Sequence, residues 1–340
     1  MSLFKVQDLW STQCCDDGIE SSIFNATSLT VGTVGEFETE IIVISNYTGC
    51  LRMYCPSRDN LELGYLSDDC LLEVVLGHPV MQTCIGKYVS GSPITYLASL
   101  HPQSISIYNL HIIPGTTKHG NEAQLQLIQD YRLSKSGACR FISGPFGLNR
   151  YHDCFAVTYL DGSLEFLDQS ESVAVTLPEI LLPVPLLYVA TCDSFVLQTD
   201  NAILECYRYQ NLISKKPSLS WSLNMGESNM SLYPISLSMS SLIVCVGERM
   251  LSIVHENGFA VTAKRVQYAT QCAHAYNHPL PHDQDNFMII IISDTNTLLL
   301  YDKYLTLTWS ASLLRTPISV QLYNTTHQSG ILLYFSMINT

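Results

Sequence analysis

The chain repeats a unit of two apolar strand-like segments joined by a short polar turn, and this pattern runs through most of its 340 residues. The first segments of these units begin near residues 41, 94, 154, 194, 242, 287 and 331, and the last of them is a half-copy without a second segment. The average step is about 48 residues, a repeat length that is typical of the four-stranded blades of β-propellers. Helical periodicity is not sustained over any long window, which excludes a helical bundle.

The sequence between the pairs leaves space for two more strands in each repeat. One such stretch contains apolar segments at residues 124–128 and 138–142. The first segment of each pair is apolar on both faces, as expected when neighbouring blades cover both, whereas Leu164 and Phe166 in a second segment alternate with polar residues. We therefore predict an all-β, seven-bladed β-propeller that spans residues 1–340 as a single domain.

The two ends of the chain predict how the ring closes. Residues 3–12 resemble the outer strand of a blade, and a propeller leaves unpaired strand edges unless its last blade is completed by the start of the chain. We predict that residues 3–12 form the outer strand of the last blade. The chain ends at Thr340, soon after the second strand of that blade, so the last blade is expected to be incomplete.

Charge and cysteine content narrow the classes of partner and compartment. The formal net charge is −13, which disfavours binding to a nucleic-acid backbone. The first residues lack the apolar core of a secretory signal, and no apolar run approaches the roughly 20 residues of a membrane span, so we expect an intracellular chain without a membrane-spanning segment. The 12 cysteines include no Cys-x-x-Cys pair and are expected to be reduced core residues.

Candidate chemistry is sparse along the chain. The dense glycine site at Gly144-Pro-Phe-Gly is predicted to be a turn that leaves an inner strand. His274, His278 and His282 recur every four residues, but the prolines between the last two favour a solvent-exposed loop over a metal site. The predicted innermost strands carry one histidine and one arginine, so we expect no catalytic, cofactor-binding or metal residues. A metal-dependent propeller hydrolase stays as the alternative enzyme class.

Two long connections are the better candidates for a binding function, because binding residues often lie on loops held by a rigid frame. They are residues 56–69 and 111–121. The first contains apolar side chains that a solvated loop does not need. The predicted partner-binding residues are Leu61, Leu63, Tyr65 and Leu66.

Several segments in the same order resemble one known family. They include Met1-Ser-Leu-Phe-Lys, Gly49-Cys-Leu-Arg-Met-Tyr-Cys-Pro, Leu71-Leu-Glu-Val-Val-Leu-Gly-His-Pro, Leu181-Leu-Pro-Val-Pro-Leu-Leu-Tyr and Trp221-Ser-Leu-Asn-Met-Gly-Glu. Together they resemble the parathyroid-hormone-responsive B1 family, the ninth of the Bardet–Biedl syndrome proteins, over the whole chain.

This resemblance implies the N-terminal, seven-bladed propeller of a subunit of the BBSome, a coat-like complex of ciliary membrane-protein trafficking. It implies a non-enzymatic scaffold without cofactors. The partners would be other BBSome subunits, with ciliary cargo as a further candidate, and membrane association would come only through the complex. The expected location is the cytoplasm, the cilium and the basal body region. A recognition propeller of a ubiquitin ligase or of another coat is the alternative interaction module.

Overall fold

The structure, a computed structural model, describes residues 10–12, 25–56, 69–113, 122–169, 171–177, 180, 185–214, 216–324 and 329–334. The chain divides into two compact units. The first unit comprises Met1–Ser2 and Ile142–Val320, and the second comprises Leu3–Phe141 and Gln321–Thr340. Strands dominate both units.

The unit around residues 3–141 contains two four-stranded antiparallel sheets in which each strand pairs with the next along the chain. The strands of the first sheet are β1 (Leu29–Gly32), β2 (Ile41–Ser45), β3 (Cys50–Tyr54) and β4 (Cys70–Val75). The strands of the second sheet are β5 (Gln82–Gly86), β6 (Tyr96–Leu100), β7 (Ser104–Ile113) and β8 (Glu122–Arg132).

Four further sheets follow with the same strand order. The strands of the third sheet are β9 (Ala138–Gly144), β10 (Cys154–Tyr159), β11 (Leu164–Asp168) and β12 (Glu171–Val175). Those of the fourth are β13 (Leu186–Val189), β14 (Ser194–Gln198), β15 (Ile203–Arg208) and β16 (Trp221–Asn224), with the short helix α1 (Tyr209–Leu212) between the last two.

The fifth and sixth sheets complete the set. The strands of the fifth are β17 (Asn229–Ser236), β18 (Ser241–Gly247), β19 (Met250–His255) and β20 (Ala260–Arg265). Those of the sixth are β21 (Thr270–Asn277), β22 (Phe287–Ser293), β23 (Thr297–Asp302) and β24 (Leu307–Ser312). Among the described residues, the last two strands, β25 (Ser319–Asn324) and β26 (Ser329–Tyr334), pair only with each other.

The second strand of each sheet is buried because both of its faces are covered. Along β18, Val244 and Val246 join a core cluster shared with β22, whereas Ile243 and Cys245 join a cluster shared with β14. Successive side chains of a strand point to opposite faces, so one strand supplies two cores. This confirms the interpretation that these segments are apolar on both faces because neighbouring sheets cover them.

The predicted number of blades is corrected by the structure. The described residues form six four-stranded blades, and the seventh repeat contributes only the two-stranded sheet of β25 and β26. The sequence pattern counted one blade for each first segment, including the half-copy at residue 331, which lies in β26 of this two-stranded sheet. The fold class itself, an all-β propeller of four-stranded blades, is as predicted.

Two details near the start of the chain also bear on the predictions. The first inner strand of the described residues is Leu29–Gly32. Residues 3–9 of the predicted closing strand lie outside the described residues. Trp10 lies near the end of this predicted strand. Its ring is edge-on to that of Tyr54, with 5.6 Å between the ring centroids, and its Nε1 donates to Asp69 Oδ2 at 2.9 Å.

The cysteines of the described residues are free thiols, as predicted. Cys154, Cys206 and Cys245 are buried in the core, and Cys84 is partly buried. Burial raises the pKa of the Cys154 and Cys206 thiols to about 12, so these groups are protonated at neutral pH.

Candidate interaction surface at the braced turns

In the unit around residues 142–320, each four-stranded sheet presents two connections at the same end. An antiparallel chain reverses at every turn, so the first and third connections of a sheet share one end and the second lies at the other. Six of the connections at this end are residues 145–153, 190–193, 237–240, 256–259, 278–286 and 303–306. We refer to these six segments as the braced turns.

Hydrogen bonds link the braced turns of neighbouring sheets. Asp193 Oδ1 accepts from the Gly147 backbone N–H at 2.9 Å, which joins the third and fourth sheets. Thr191 Oγ1 contacts Ser241 Oγ at 2.9 Å and donates to Glu256, which joins the fourth and fifth sheets.

The same linkage continues between the fifth and sixth sheets. The backbone N–H and the hydroxyl of Ser238 both donate to Asp285 Oδ1 at 2.7 Å. Within the sixth sheet, the Lys303 ammonium group contacts the Asp283 carboxylate. Turns with side-chain partners on both sides lose conformational freedom, so they hold their exposed side chains in fixed positions.

The braced turns expose apolar side chains that the folded core does not use. Met239 is 94% exposed, Tyr151 74%, Tyr304 72% and Leu148 66%. Phe259 and Leu280 are also exposed. Isolated exposed apolar residues are common, but their concentration on turns with little conformational freedom is typical of a surface that contacts another macromolecule.

The segment at residues 145–153 is anchored to the core through Phe146. Its ring centroid lies 4.7 Å from that of Tyr188 and 4.8 Å from that of Phe195, both in edge-to-face geometry. The Tyr188 hydroxyl contacts Asp193 Oδ1 at 2.7 Å, so the residue that packs on Phe146 also holds the acceptor of the Gly147 N–H. The predicted turn at Gly144-Pro-Phe-Gly is confirmed, and Gly147 adopts a φ of 69° that favours glycine.

A groove of about 500 Å³ lies along this anchored segment. Its lining residues are Phe146, Gly147, Leu148, Asn149, Arg150, Tyr151, Asp168 and Tyr209. The groove therefore combines aromatic rings and an apolar side chain with one basic and one acidic group. Such a surface suits a mixed polar and apolar segment of a protein partner better than a purely apolar ligand.

A polar cluster lies at one side of the groove, where β10 begins and β11 ends. His152 Nε2 lies 2.7 Å from Asp168 Oδ1, and the Asn149 amide nitrogen lies 3.2 Å from the same His152 nitrogen. The Asn149 amide also donates to Cys154 Sγ at 3.7 Å. The Cys154 side chain is buried, whereas Asp168 is about half exposed in the groove. Sequence reasoning missed this cluster because its members lie in two separate stretches of the chain, residues 149–154 and Asp168.

The predicted partner-binding residues Leu61, Leu63, Tyr65 and Leu66 lie outside the described residues. The second long connection is described only at its base, where Ile112 and Ile113 at the end of β7 are exposed. On the paired strand β8, Leu127 and Ile128 are exposed as well. The long β7–β8 hairpin is therefore a second apolar surface, in the unit around residues 3–141.

The sequence predicts that His274, His278 and His282 lie in a solvent-exposed loop. For His274 this prediction is wrong. His274 lies within β21, between the rings of Tyr233 and Tyr276, and the loop begins only after Asn277. Burial lowers the pKa of His274 to about 4. The imidazole of an inner strand is therefore neutral at physiological pH.

This histidine predicts a pH dependence of stability. An unfolded histidine titrates near pH 6.5, so between about pH 6.5 and pH 4 the unfolded chain binds a proton that the folded chain does not. We expect the free energy of unfolding to fall by roughly 2–3 kcal/mol as the pH decreases through this window. Urea titrations at several pH values measure it, and His274→Gln should flatten the pH slope. An equal slope in the variant would contradict this assignment.

Four-stranded antiparallel sheets that cover both faces of one another's second strands, in a repeating strand order, define this chain as a β-propeller. A solved structure of BBS1N in complex with ARL6DN, soaked with lead, has the same fold, with a TM-score of 0.63 over 98% of this chain and 99% of that chain at 10% identity. The chain belongs to the PTHB1 N-terminal family, whose sequence model matches residues 1–337. This confirms the family that the sequence segments resemble.

Individual relatives agree with this assignment. Protein PTHB1 of Xenopus laevis is 32% identical and aligns with 99% of this chain and 41% of its own length. Protein PTHB1 of Homo sapiens is 29% identical over 94% of this chain and 38% of its own length. The chain thus spans about two fifths of the curated relatives. Raptor of Chaetomium thermophilum shares the fold at a TM-score of 0.58 and 9% identity, over 87% of this chain and 27% of its own.

Proposed function

We propose that this chain is a non-enzymatic interaction scaffold, a propeller module of a BBSome subunit that takes part in ciliary membrane-protein trafficking through protein contacts. The observation that carries the proposal is the set of braced turns. They present exposed apolar side chains on a frame whose neighbouring turns are joined by hydrogen bonds. Preorganisation of this kind lowers the entropy lost on association, which suits a subunit of a stable assembly.

The proposed partners are other BBSome subunits, with ciliary cargo as a further candidate, and the proposed location is the cytoplasm, the cilium and the basal body region. Membership of the PTHB1 N-terminal family supports the choice of complex. The relative BBS1N, which shares only the fold, forms a complex with ARL6DN, so a propeller of this fold serves there in a protein complex. Among the residues that the structure describes, no helix has the length and hydropathy to cross a bilayer.

The proposal treats residues 1–340 as one propeller domain without catalytic or cofactor-binding residues. His274 on β21 is partly buried and packs against the rings of Tyr233 and Tyr276, and its low pKa suits a packed residue of an inner strand. The apolar residues Leu61, Leu63, Tyr65 and Leu66 remain a second predicted contact, separate from the braced turns.

A test of the contact surface uses paired variants at opposite ends of the sheets. The double variant Tyr151→Ser with Met239→Ser removes two of the most exposed apolar side chains of the braced turns. We expect it to weaken binding to the other BBSome subunits by roughly tenfold or more, because aromatic and large apolar side chains dominate interface energies. Co-expression with those subunits, followed by size-exclusion chromatography and quantification of the co-eluting chains, measures the loss.

The matched control is Leu160→Ser with Leu314→Ser, which changes two equally exposed apolar side chains outside the braced turns. We expect it to bind like the unaltered chain. Equal recovery of all three proteins would contradict the assignment to the braced turns. A third variant, Leu63→Ser with Tyr65→Ser, tests the loop predicted from sequence. Failure of the unaltered chain and of every variant to co-elute with any BBSome subunit would reject the scaffold proposal itself.

A further inference from the structure

Three different metal-ligating side chains meet beside the groove of the braced turns. His152 lies two residues before Cys154, the first residue of β10, and Asp168 is the last residue of β11. Antiparallel pairing sets Phe155 opposite Leu167, so the next positions along, Cys154 and Asp168, come together at the end of the hairpin. One donor atom from each of the three ligands lies within 4.8 Å of the others.

The described protein atoms do not complete the hydrogen bonding of the His152 ring. The side chain is 10% exposed, and its Nδ1 is buried without a partner among the described residues. At the other nitrogen, Nε2, the Asp168 carboxylate can only accept, whereas the Asn149 amide group can only donate. A single ring nitrogen satisfies one of these two neighbours, so this site leaves buried polar groups unmatched.

The donor set is of the kind that zinc prefers. Imidazole nitrogen, thiolate sulfur and carboxylate oxygen bind Zn²⁺ at about 2.0–2.3 Å. To share one ion, the His152 and Asp168 atoms, 2.7 Å apart, must separate, and ligand atoms up to 4.8 Å apart must approach one another. A dication with one thiolate, one carboxylate and a neutral imidazole gives zero net charge. Neutrality matters at this position, because an uncompensated charge beside the buried Cys154 is costly.

The neighbouring residues orient these ligands. Asn149 Oδ1 accepts the Tyr151 backbone N–H at 2.9 Å, which fixes the amide so that its NH₂ group points to Cys154 Sγ. An N–H donor to the sulfur stabilises a thiolate, and such outer partners are typical of protein zinc sites. The Gly147 N–H bond to Asp193 keeps the whole segment against the sheet.

We propose that His152, Cys154 and Asp168 form a zinc site with three protein ligands and a fourth position open to the groove. The bound ion would tie the segment at residues 145–153 to the ends of β10 and β11. This site lies at the turns and stands independently of the proposed scaffold function.

Titration of the metal-free chain with Co²⁺, followed by displacement with Zn²⁺, tests the site. We expect one equivalent of Co²⁺ to give the visible bands of a tetrahedral ion together with a thiolate-to-cobalt charge-transfer band, and one equivalent of Zn²⁺ to remove both. Cys154→Ser should abolish the charge-transfer band. Asn149→Ala removes an outer partner and should weaken zinc binding by roughly 10–100-fold. Cys154→Ser removes a ligand and should weaken zinc binding by more than that.

Cys206→Ser is the matched control, because Cys206 is an equally buried free thiol in the next sheet. It should bind Co²⁺ like the unaltered chain. Asp168→Asn changes a half-exposed ligand and serves as a second test if Cys154→Ser does not fold. The proposal is overturned if the unaltered chain shows no charge-transfer band at one equivalent, or if the band persists in Cys154→Ser or is unchanged in Asp168→Asn.

Discussion

Replacing Phe195 with alanine is expected to destabilise the chain by about 3–5 kcal/mol, the range measured for truncation of fully buried aromatic residues. Phe195 is completely buried on β14, and its ring meets those of Phe146 at 4.8 Å and of Phe166 and Tyr188 at 5.1 Å. The cavity would thus open in the middle of an aromatic cluster, where edge-to-face contacts add to the cost of lost burial. Urea unfolding followed by circular dichroism measures the change.

Phe259→Ala is the control for this experiment, because Phe259 is the same residue type but 55% exposed on a braced turn. It should cost less than about 1 kcal/mol, mainly through its stacking on His255. Similar losses in both variants would show that the aromatic cluster is not a tightly packed core. Because Phe146 belongs to the same cluster, Phe195→Ala should also loosen residues 145–153.

Replacing Gly258 with alanine should cost about 2–5 kcal/mol, for two separate reasons. Gly258 has a φ of 88°, which an L-residue adopts only at a cost of about 1–2 kcal/mol. An added Cβ would also lie 2.5 Å from two atoms of the Trp221 ring, and such overpacking costs about 1–3 kcal/mol more. The ring has little freedom to move, because its Nε1 donates to the Glu256 carbonyl at 2.7 Å.

Gly226→Ala is the control that separates the conformational cost of a positive φ from the cost of the clash with Trp221. Gly226 has a similar φ of 78°, but nothing lies within 4 Å of its added Cβ. It should therefore lose only the conformational term of about 1–2 kcal/mol. Equal unfolding free energies for the two variants would argue against the clash with Trp221. Trp221 fluorescence provides an independent measurement, since a displaced ring changes its environment only in Gly258→Ala.

The second strands of the blades could be predicted from sequence because their burial on two faces leaves an unbroken apolar run. Residues 154–159 and 287–293 are such runs, and both are strands of the structure. The number of blades could not be predicted in the same way, because a pair of apolar segments looks the same whether it stands alone or belongs to four strands. The half-copy at residue 331, which lies in β26, therefore raised the predicted count to seven.

The candidate sites were harder to predict, for physical reasons that particular residues illustrate. The spacing of His274 and His278 ignores the point at which β21 ends, so it placed a buried strand residue in a loop. Cys154 was correctly predicted to be a core thiol, but its neighbour Asp168 becomes visible only with the register of β10 and β11. Exposed side chains such as Met239 carry no pattern, since a turn tolerates both polar and apolar residues.

The hydrogen bonds between the braced turns restrict how this sequence can diverge. Ser238 and Asp285 lie in different blades, yet each completes the bonding of the other. Thr191 and Glu256 form a similar pair across the preceding boundary. A substitution at one member removes a side-chain hydrogen bond across the boundary, so compensating changes should appear in pairs across blade boundaries. Related chains that have lost one member should therefore carry a matched replacement at a position far away in sequence.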